Sequence, residues 1–166
     1  MPADAGQHAR RWNIIDVLIQ DHRDLQAMFV HVIGLSARDE WQRRYLLGKI
    51  ITALVRHAIA EEQHLYPAVR ARLPRGDRMA DELLAGHDAA HRIIEELGGL
   101  DPGDMLFDRW FSRLFGEVTA HFEDEETNLF PLVTEHCDAD TLHELGLQCE
   151  LTKRTLPDLP SFQLLI

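Results

Sequence analysis

Apolar residues recur every three or four positions along most of the chain, which is the period of an amphipathic helix. Four long stretches carry this pattern, and short segments rich in glycine, proline and aspartate separate them. The pattern predicts helices over about 12–34, 39–73, 77–97 and 104–135, with a shorter one over about 138–151. No alternating strand pattern competes. The predicted fold is therefore all-α: an antiparallel up-down four-helix bundle with a short fifth C-terminal helix.

The chain has 166 residues and 45% hydrophobic content, which is enough for one core of ordinary size. We expect a single domain over residues 1–166, with the bundle over about 12–135 and a C-terminal extension over about 136–166. From residue 151 onward the extension is predicted to be an irregular tail, because Pro157 and Pro160 interrupt it. Its apolar residues predict docking on the bundle or on another subunit: Phe162, Leu164, Leu165 and Ile166.

Charge and cysteine content limit the expected partners and the expected location of the protein. The formal net charge of -11 opposes binding to phosphate backbones and anionic lipid headgroups, so neither nucleic acid nor a membrane is an expected partner, whereas a cation is. The N-terminus has no secretory signal pattern, and no uncharged apolar run has the length of a membrane span. We expect a cytoplasmic protein in which Cys137 and Cys149 are reduced thiols.

One motif occurs twice. HAIAEEQHLYPAV begins at His57, and HFEDEETNLFPLV begins 64 residues later at His121, with the histidine, both glutamates, a leucine, the proline and the valine in the same places. A weaker echo relates HRDLQAMF at 22–29 to HRIIEELG at 91–98, at an offset of 69 residues. The first two helices thus resemble the next two. In an antiparallel bundle, such a duplication brings mirrored side chains to one central point.

Seven polar side chains lie on the apolar stripes of these helices. A histidine and a glutamate four residues apart lie on the same helical face, with Cβ atoms about 5–6 Å apart. Facing helices in a bundle are about 8–10 Å apart, so groups from opposite helices can meet with two metal ions between them. The predicted metal ligands are His22, His57, Glu61, His87, His91, His121 and Glu125.

A metal explains why these groups can be buried, because each unpartnered charge in an apolar core would cost several kcal/mol. The nitrogen and oxygen ligands suit iron, zinc or manganese, and the mixture of histidine and carboxylate around open positions indicates non-haem iron. If both glutamates and an oxo or hydroxo group bridge two irons, three histidines complete six-coordination at one iron. The remaining two histidines leave the other iron five-coordinate. The open position would bind a small ligand.

These residues identify a resemblance. A lone histidine followed by H-x-x-x-E in each half, His22 with His57 and Glu61, then His91 with His121 and Glu125, resembles the hemerythrin and hemerythrin-like (HHE cation-binding) domains. His87 adds the H-x-x-x-H pair found on the third helix of oxygen-carrying hemerythrins. The resemblance implies a cofactor of two non-haem iron ions bridged by oxo or hydroxo. Oxygen carriers have an aspartate five residues after the fourth-helix histidine, whereas Glu125 lies four residues after His121.

The leading interpretation is a di-iron protein that binds dioxygen or a related small ligand as a carrier, store or sensor. The alternatives are an oxidoreductase acting on hydrogen peroxide or nitric oxide, and an iron storage or delivery protein, so enzymatic activity stays open. No protein partner is indicated. His64 is predicted to lie at the end of the site or on the surface, and Glu62 and Glu126 to face solvent or hydrogen-bond to the ligands.

Overall fold

The computed structural model describes residues 11–158, and all its regular secondary structure is helical. None of the described helices is both long enough and apolar enough to cross a membrane. Two five-residue π-helical segments, Glu61–Leu65 and Glu125–Leu129, interrupt the second and fourth long stretches. The α-helices are α1 Ile14–Ile33, α2 Glu40–Ala60, α3 Tyr66–Arg72, α4 Gly76–Gly98, α5 Met105–Asp124, α6 Phe130–His136 and α7 Ala139–Thr155.

Polar caps fix where several helices begin. The Asn13 side chain accepts from the amides of Ile15 and Asp16, and the Asp16 carboxylate accepts from the Asn13 amide, which forms a capping box at α1. Aspartate side chains also cap α5 and α7: Asp104 accepts from the Leu106 amide, and Asp138 accepts from the Thr141 amide. These caps satisfy amide groups that the first turn leaves without carbonyl partners.

Prolines explain the position of the two π segments. Pro67 and Pro131 lie in the first turns of α3 and α6, immediately after the segments. Since a proline ring has no amide hydrogen and clashes with the carbonyl four residues earlier, the helix there cannot keep its regular pattern. The turn widens instead, and the Tyr66 amide donates to the Glu61 carbonyl five residues back. The disturbance takes the form of a π turn in both halves of the chain.

Two apolar clusters fill the interior. One is built from the first half of α1 with α3, α6, α7 and the beginning of α4. The other is built from the second half of α1 with α2, α5 and the end of α4. Helix α1 packs against α2, α5 and α7, while α4 packs against α3 and α5. The buried polar residues His22, His57, Glu61 and Glu125 lie on α1, α2 and the two π segments.

A close backbone contact forms the turn between α3 and α4. A Cβ atom at Gly76 would lie 2.0 Å from the carbonyl oxygen of Val69, so only glycine permits this approach. Arg75, just before it, has a φ of 59°, in the left-handed region. The chain can therefore reverse direction within a few residues, and α4 returns alongside α3.

The all-α prediction is confirmed, and the helix boundaries match the pattern closely. One boundary was wrong: α7 continues to Thr155, so the first part of the predicted irregular tail, 151–155, is helical. The predicted docking residues Phe162, Leu164, Leu165 and Ile166 lie outside the described residues. Cys137 and Cys149 are both free and buried, as the sequence predicts.

Candidate metal centre

Six of the seven predicted ligands come together in two adjoining groups. The first contains His22, His57, Glu61 and Glu125, and the second contains Glu61, His87 and His121. Within each group the potential ligand atoms lie within 4.8 Å of one another. The residues of the first group are all at most 3% exposed.

The two glutamates connect the groups. Glu61 directs Oε1 toward His57 Nε2, at 3.1 Å, and Oε2 toward His87 Nε2, at 3.2 Å. Glu125 directs Oε2 toward His22 Nε2, at 3.4 Å, and Oε1 toward His121 Nε2, at 3.3 Å. Each carboxylate therefore has one oxygen in each half of the centre. This arrangement suits carboxylates that bridge two cations.

Whether a metal ion fits this centre can be judged from its buried atoms that have no hydrogen bond. Five atoms of the centre are buried and have no hydrogen-bond partner among the described residues: Nε2 of His22, His57 and His121, Oε1 of Glu61 and Oε2 of Glu125. Leaving buried polar atoms unsatisfied is costly, and all five face the interior of the same centre. Nitrogen and carboxylate oxygen atoms in this arrangement could hold metal ions, with two histidines on each side.

In three of these histidines the second ring nitrogen, Nδ1, contacts a carboxylate. His22 Nδ1 lies 2.8 Å from Glu126, His57 Nδ1 lies 3.2 Å from Asp21, and His87 Nδ1 lies 2.7 Å from Glu62. Such partners fix the tautomer and the ring orientation, so that Nε2 points into the centre. The sequence prediction included this role for Glu62 and Glu126. It did not include Asp21.

Charge around the centre shifts the pKa values of its members. Burial disfavours protonation of His57, but the nearby carboxylates of Glu61 and Asp21 outweigh it and raise the pKa of His57 to about 10. The pKa of His87 is also raised, because its contacts with Glu61 and Glu62 outweigh burial. For Glu61, contacts with His57 and His87 outweigh burial and hold its pKa well below the usual range. The metal-free centre is thus held together by charge pairs that a cation would replace.

Tyr66 is a further residue of the centre that the sequence interpretation missed. Its hydroxyl lies 3.3 Å from Glu61 Oε2, 3.3 Å from Glu125 Oε1 and 3.1 Å from His87 Nε2. Burial, followed by the charges of the two glutamates, raises the pKa of the Tyr66 phenol, so it keeps its proton. The repeat offers a signal, because the same position in the second half is Phe130, which has no hydroxyl.

His91 belongs to neither group. Its side chain is 68% exposed and lies 3.4 Å from Glu95 on the same helix. The offset from His22 to His87 is 65 residues, close to the 64 that separates the two H-x-x-x-E motifs, whereas the offset to His91 is 69. His87 is therefore the counterpart of His22, and the structure contributes four histidines where five were predicted. His64, outside both groups, lies 2.7 Å from the Thr152 hydroxyl of α7.

The absence of a side chain at Gly86 allows His121 to reach the centre. A Cβ atom at Gly86 would lie 2.8 Å from His121 Nδ1, closer than such atoms approach. Helix α4 can therefore pass directly against the imidazole ring on α5. A pocket of about 240 Å³ opens beside this contact, between α2, α4 and α5.

The fold and the centre define an all-helical metal-binding protein with histidine and carboxylate ligands. The sequence model of the hemerythrin HHE cation-binding domain matches residues 13–133. The chain belongs to the hemerythrin HHE cation-binding domain family.

Two relatives extend this comparison. A crystal structure of a hemerythrin HHE cation-binding domain-containing protein from Mycobacterium kansasii is 19% identical, with a TM-score of 0.77 over 86% of each chain. It shares the fold. A protein named DNA nickase, from Nostoc sp. (strain PCC 7120), is 26% identical over 148 residues. The match covers 89% of this chain but only 41% of that relative's length.

Proposed function

We propose that this chain is an oxidoreductase with two iron ions, held in an antiparallel four-helix bundle, that consumes hydrogen peroxide. His22 and His57 would hold one ion and His87 and His121 the other, with Glu61 and Glu125 shared between them. This assignment rests on the two oxygens of each glutamate, which face different pairs of histidines. An iron pair held by these residues would supply two-electron redox chemistry.

The position of the Tyr66 hydroxyl favours a reaction with peroxide over simple storage of a ligand. It is the uncharged hydrogen-bond donor at the centre, and it lies 3.1 Å from His87 Nε2 and 3.3 Å from both glutamates. Breaking the oxygen–oxygen bond of one peroxide requires two electrons and two protons and gives two waters. A second peroxide returns the electrons and protons as it becomes dioxygen. A hydrogen-bond donor beside the reacting oxygens favours this chemistry, because it stabilises the negative charge that develops on them.

Reversible binding of dioxygen is the second candidate function. The side chains of Glu61, Glu125 and His22 are all 0% exposed, and Phe122 stacks on the His22 ring with centroids 3.8 Å apart. Such a water-poor environment protects a reduced metal from proton transfer, which favours reversible binding. It is less favoured here because the oxygen-carrier interpretation relied on five histidine ligands, and four come together.

The activity named for the Nostoc relative is not extended to this chain. The net charge of -11 opposes the approach of a phosphate backbone. The relative is also more than twice as long as the part that this chain matches.

The test is anaerobic reconstitution with ferrous iron, followed by measurement of iron per chain and of dioxygen released from added peroxide. We expect two irons per chain and dioxygen release well above that of free iron at the same concentration. Fewer than two irons would contradict the two-metal centre. Two irons without turnover, together with an absorption band that disappears when dioxygen is removed, would replace the peroxide function with oxygen binding.

A further inference from the structure

The pocket between α2, α4 and α5 leads from the surface to the metal centre. Three histidines of the metal centre line it: His57, His87 and His121. His91 also lines it, from an exposed position on α4. Any molecule in this pocket would therefore lie against the histidines of the centre.

The walls of the pocket are mainly apolar. Leu54 and Ile59 contribute from α2, Ile94 from α4, and Val118 and Phe122 from α5. Val118 and Phe122 are 4% and 2% exposed and belong to the apolar cluster around the second half of α1. An apolar wall favours a ligand with its own apolar surface, because burying that surface removes it from water.

The charged residues in the lining are acidic. Glu62, Asp88 and Glu117 are among the described lining residues, which include neither lysine nor arginine. An anionic ligand would be repelled by these carboxylates, and the cationic groups at the inner end, the histidines or bound ions of the centre, are already paired with Glu61 and Glu125. A cationic ligand would lose hydration against the apolar walls. An uncharged molecule avoids both costs.

The pocket is much larger than hydrogen peroxide requires. Its volume is about 240 Å³, whereas a water molecule occupies about 30 Å³ in the liquid, and an apolar cavity of about 150 Å³ can bind benzene. A two-oxygen ligand would leave most of the apolar wall in contact with water. The size therefore matches an organic molecule of roughly one aromatic ring with a substituent.

We propose that this pocket binds a small uncharged organic molecule with one polar end. Its apolar part packs against Ile59, Ile94 and Val118, and its polar end faces the histidines at the inner end. Organic hydroperoxides and their alcohols have this chemistry. An organic hydroperoxide that takes up two electrons and two protons gives the alcohol and water, and hydrogen peroxide supplies both as it becomes dioxygen. The proposal deepens the proposed function, on which it rests for the reaction, because it adds a substrate class to the same centre.

Binding is tested on the iron-loaded chain with benzyl alcohol, by ligand-observed NMR titration without peroxide. We expect saturable binding of one molecule per chain. Ala58→Phe on α2 and Ala90→Phe on α4 place a ring inside the pocket and should each weaken binding at least about tenfold. Ala85→Phe is the control, since Ala85 is on α4, exposed and outside the pocket lining.

Charge selectivity provides a second measurement on the unaltered chain. Benzoate and benzylammonium have the same ring as benzyl alcohol, and both should bind at least about tenfold more weakly. Iron content and helical content are measured for each variant, so that a misfolded variant is recognised. If one of the two blocking variants misfolds, the other is used. Either charged probe binding more tightly than the alcohol would overturn the proposal. So would the absence of saturable binding, or binding that both blocking variants leave unchanged.

The two proposals can fail separately. Benzyl alcohol binding is measured without turnover, so a chain that binds the alcohol but does not consume hydrogen peroxide would contradict only the proposed function. Conversely, hydrogen peroxide consumption that is unchanged in Ala58→Phe and Ala90→Phe, with no alcohol binding to the unaltered chain, would contradict only the organic ligand.

Discussion

Lys153 donates to both carboxylate oxygens of Asp21, with Nζ 2.5 Å from Oδ1 and 2.7 Å from Oδ2. Asp21 Oδ2 in turn lies 3.2 Å from Nδ1 of His57, one of the predicted ligands. Lys153 lies on α7, beyond residues 13–133 that match the family model. A helix outside the matched domain therefore fixes the orientation of a ligand inside it. The extension is part of the metal centre's support.

Replacing Lys153 by methionine should weaken metal binding. Methionine keeps an apolar stem of similar length but cannot donate to Asp21, so the carboxylate no longer has a fixed position beside His57. Loss of such outer partners typically lowers metal affinity about 10- to 100-fold. Competition with a coloured iron chelator measures the affinity, and Lys153→Arg should restore most of it, because arginine can still donate to the carboxylate.

The matched control is the chain's other lysine, Lys49, whose Nζ lies 5.6 Å from the centroid of the Tyr45 ring. Lys49→Met should leave iron affinity unchanged. If Lys153→Met binds iron as tightly as the unaltered chain, α7 contributes packing alone.

Much of this centre could be predicted from spacing. The repeat of H-x-x-x-E at His57 and His121 has one physical explanation, a pair of facing helices around shared cations, and the structure brings these residues together. Spacing decides less for a lone histidine. His87 and His91 lie four residues apart on the same helix; the offset of 65 residues from His22 favours His87, and the exposure of His91 places it outside the centre. The contrast with Phe130 in the repeat marks Tyr66, but the contacts of Tyr66 and Lys153 could not be predicted. Their roles depend on the π turn and on the docking of α7, which no local pattern encodes.

Replacing His87 should remove one bound metal ion per chain, whereas replacing His91 should remove none. His87 Nε2 lies 3.2 Å from Glu61 inside the centre, and His91 pairs with Glu95 at the surface. His87→Ala is therefore expected to bind about one iron per chain, and His91→Ala two. Iron per chain after reconstitution and gel filtration gives the answer. Equal loss in both variants would return His91 to the ligand set.

Tyr66→Phe should keep the iron and lose reaction rate. The substitution copies the natural Phe130 of the second half, so the packing of the π turn is retained while the hydroxyl is removed. Loss of one positioned hydrogen-bond donor lowers rates by about 10²–10³-fold. Dioxygen release from peroxide is compared with iron content in the same sample. Should iron content fall while the rate per iron stays constant, the phenol would be a ligand and not a hydrogen-bond donor.

Gly86→Ala should weaken the half of the centre that contains His121. The new Cβ would lie 2.8 Å from His121 Nδ1, so the ring must shift from the position that places its Nε2 3.3 Å from Glu125. Gly116→Ala on α5 is the matched control, because a Cβ there meets nothing within 4 Å, and alanine favours helix by about 1 kcal/mol. Thermal unfolding and iron per chain are measured together. We expect less iron for Gly86→Ala, and unchanged iron with slightly higher stability for Gly116→Ala.

The metal-free protein should lose stability as pH rises above neutrality. The pKa of His57 is raised from 6.5 to about 10, so the folded chain binds more protons than the unfolded chain between these values. The resulting stability is fully present below pH 6.5 and disappears as pH passes about 10, with a slope of at most about 1.4 kcal/mol per pH unit for one group. The lowered pKa of Glu61 contributes no slope in this window, since that carboxylate is ionised throughout it.

Urea unfolding of the metal-free chain across this pH range measures the slope, with His57→Gln as the control, because glutamine does not titrate. We expect stability to fall with pH in the unaltered chain and to change much less in the variant. The iron-loaded chain should not show the decline, since iron binds the neutral imidazole in place of the proton. A metal-free chain as stable at pH 9 as at pH 6.5 would mean that His57 does not hold its proton between Asp21 and Glu61.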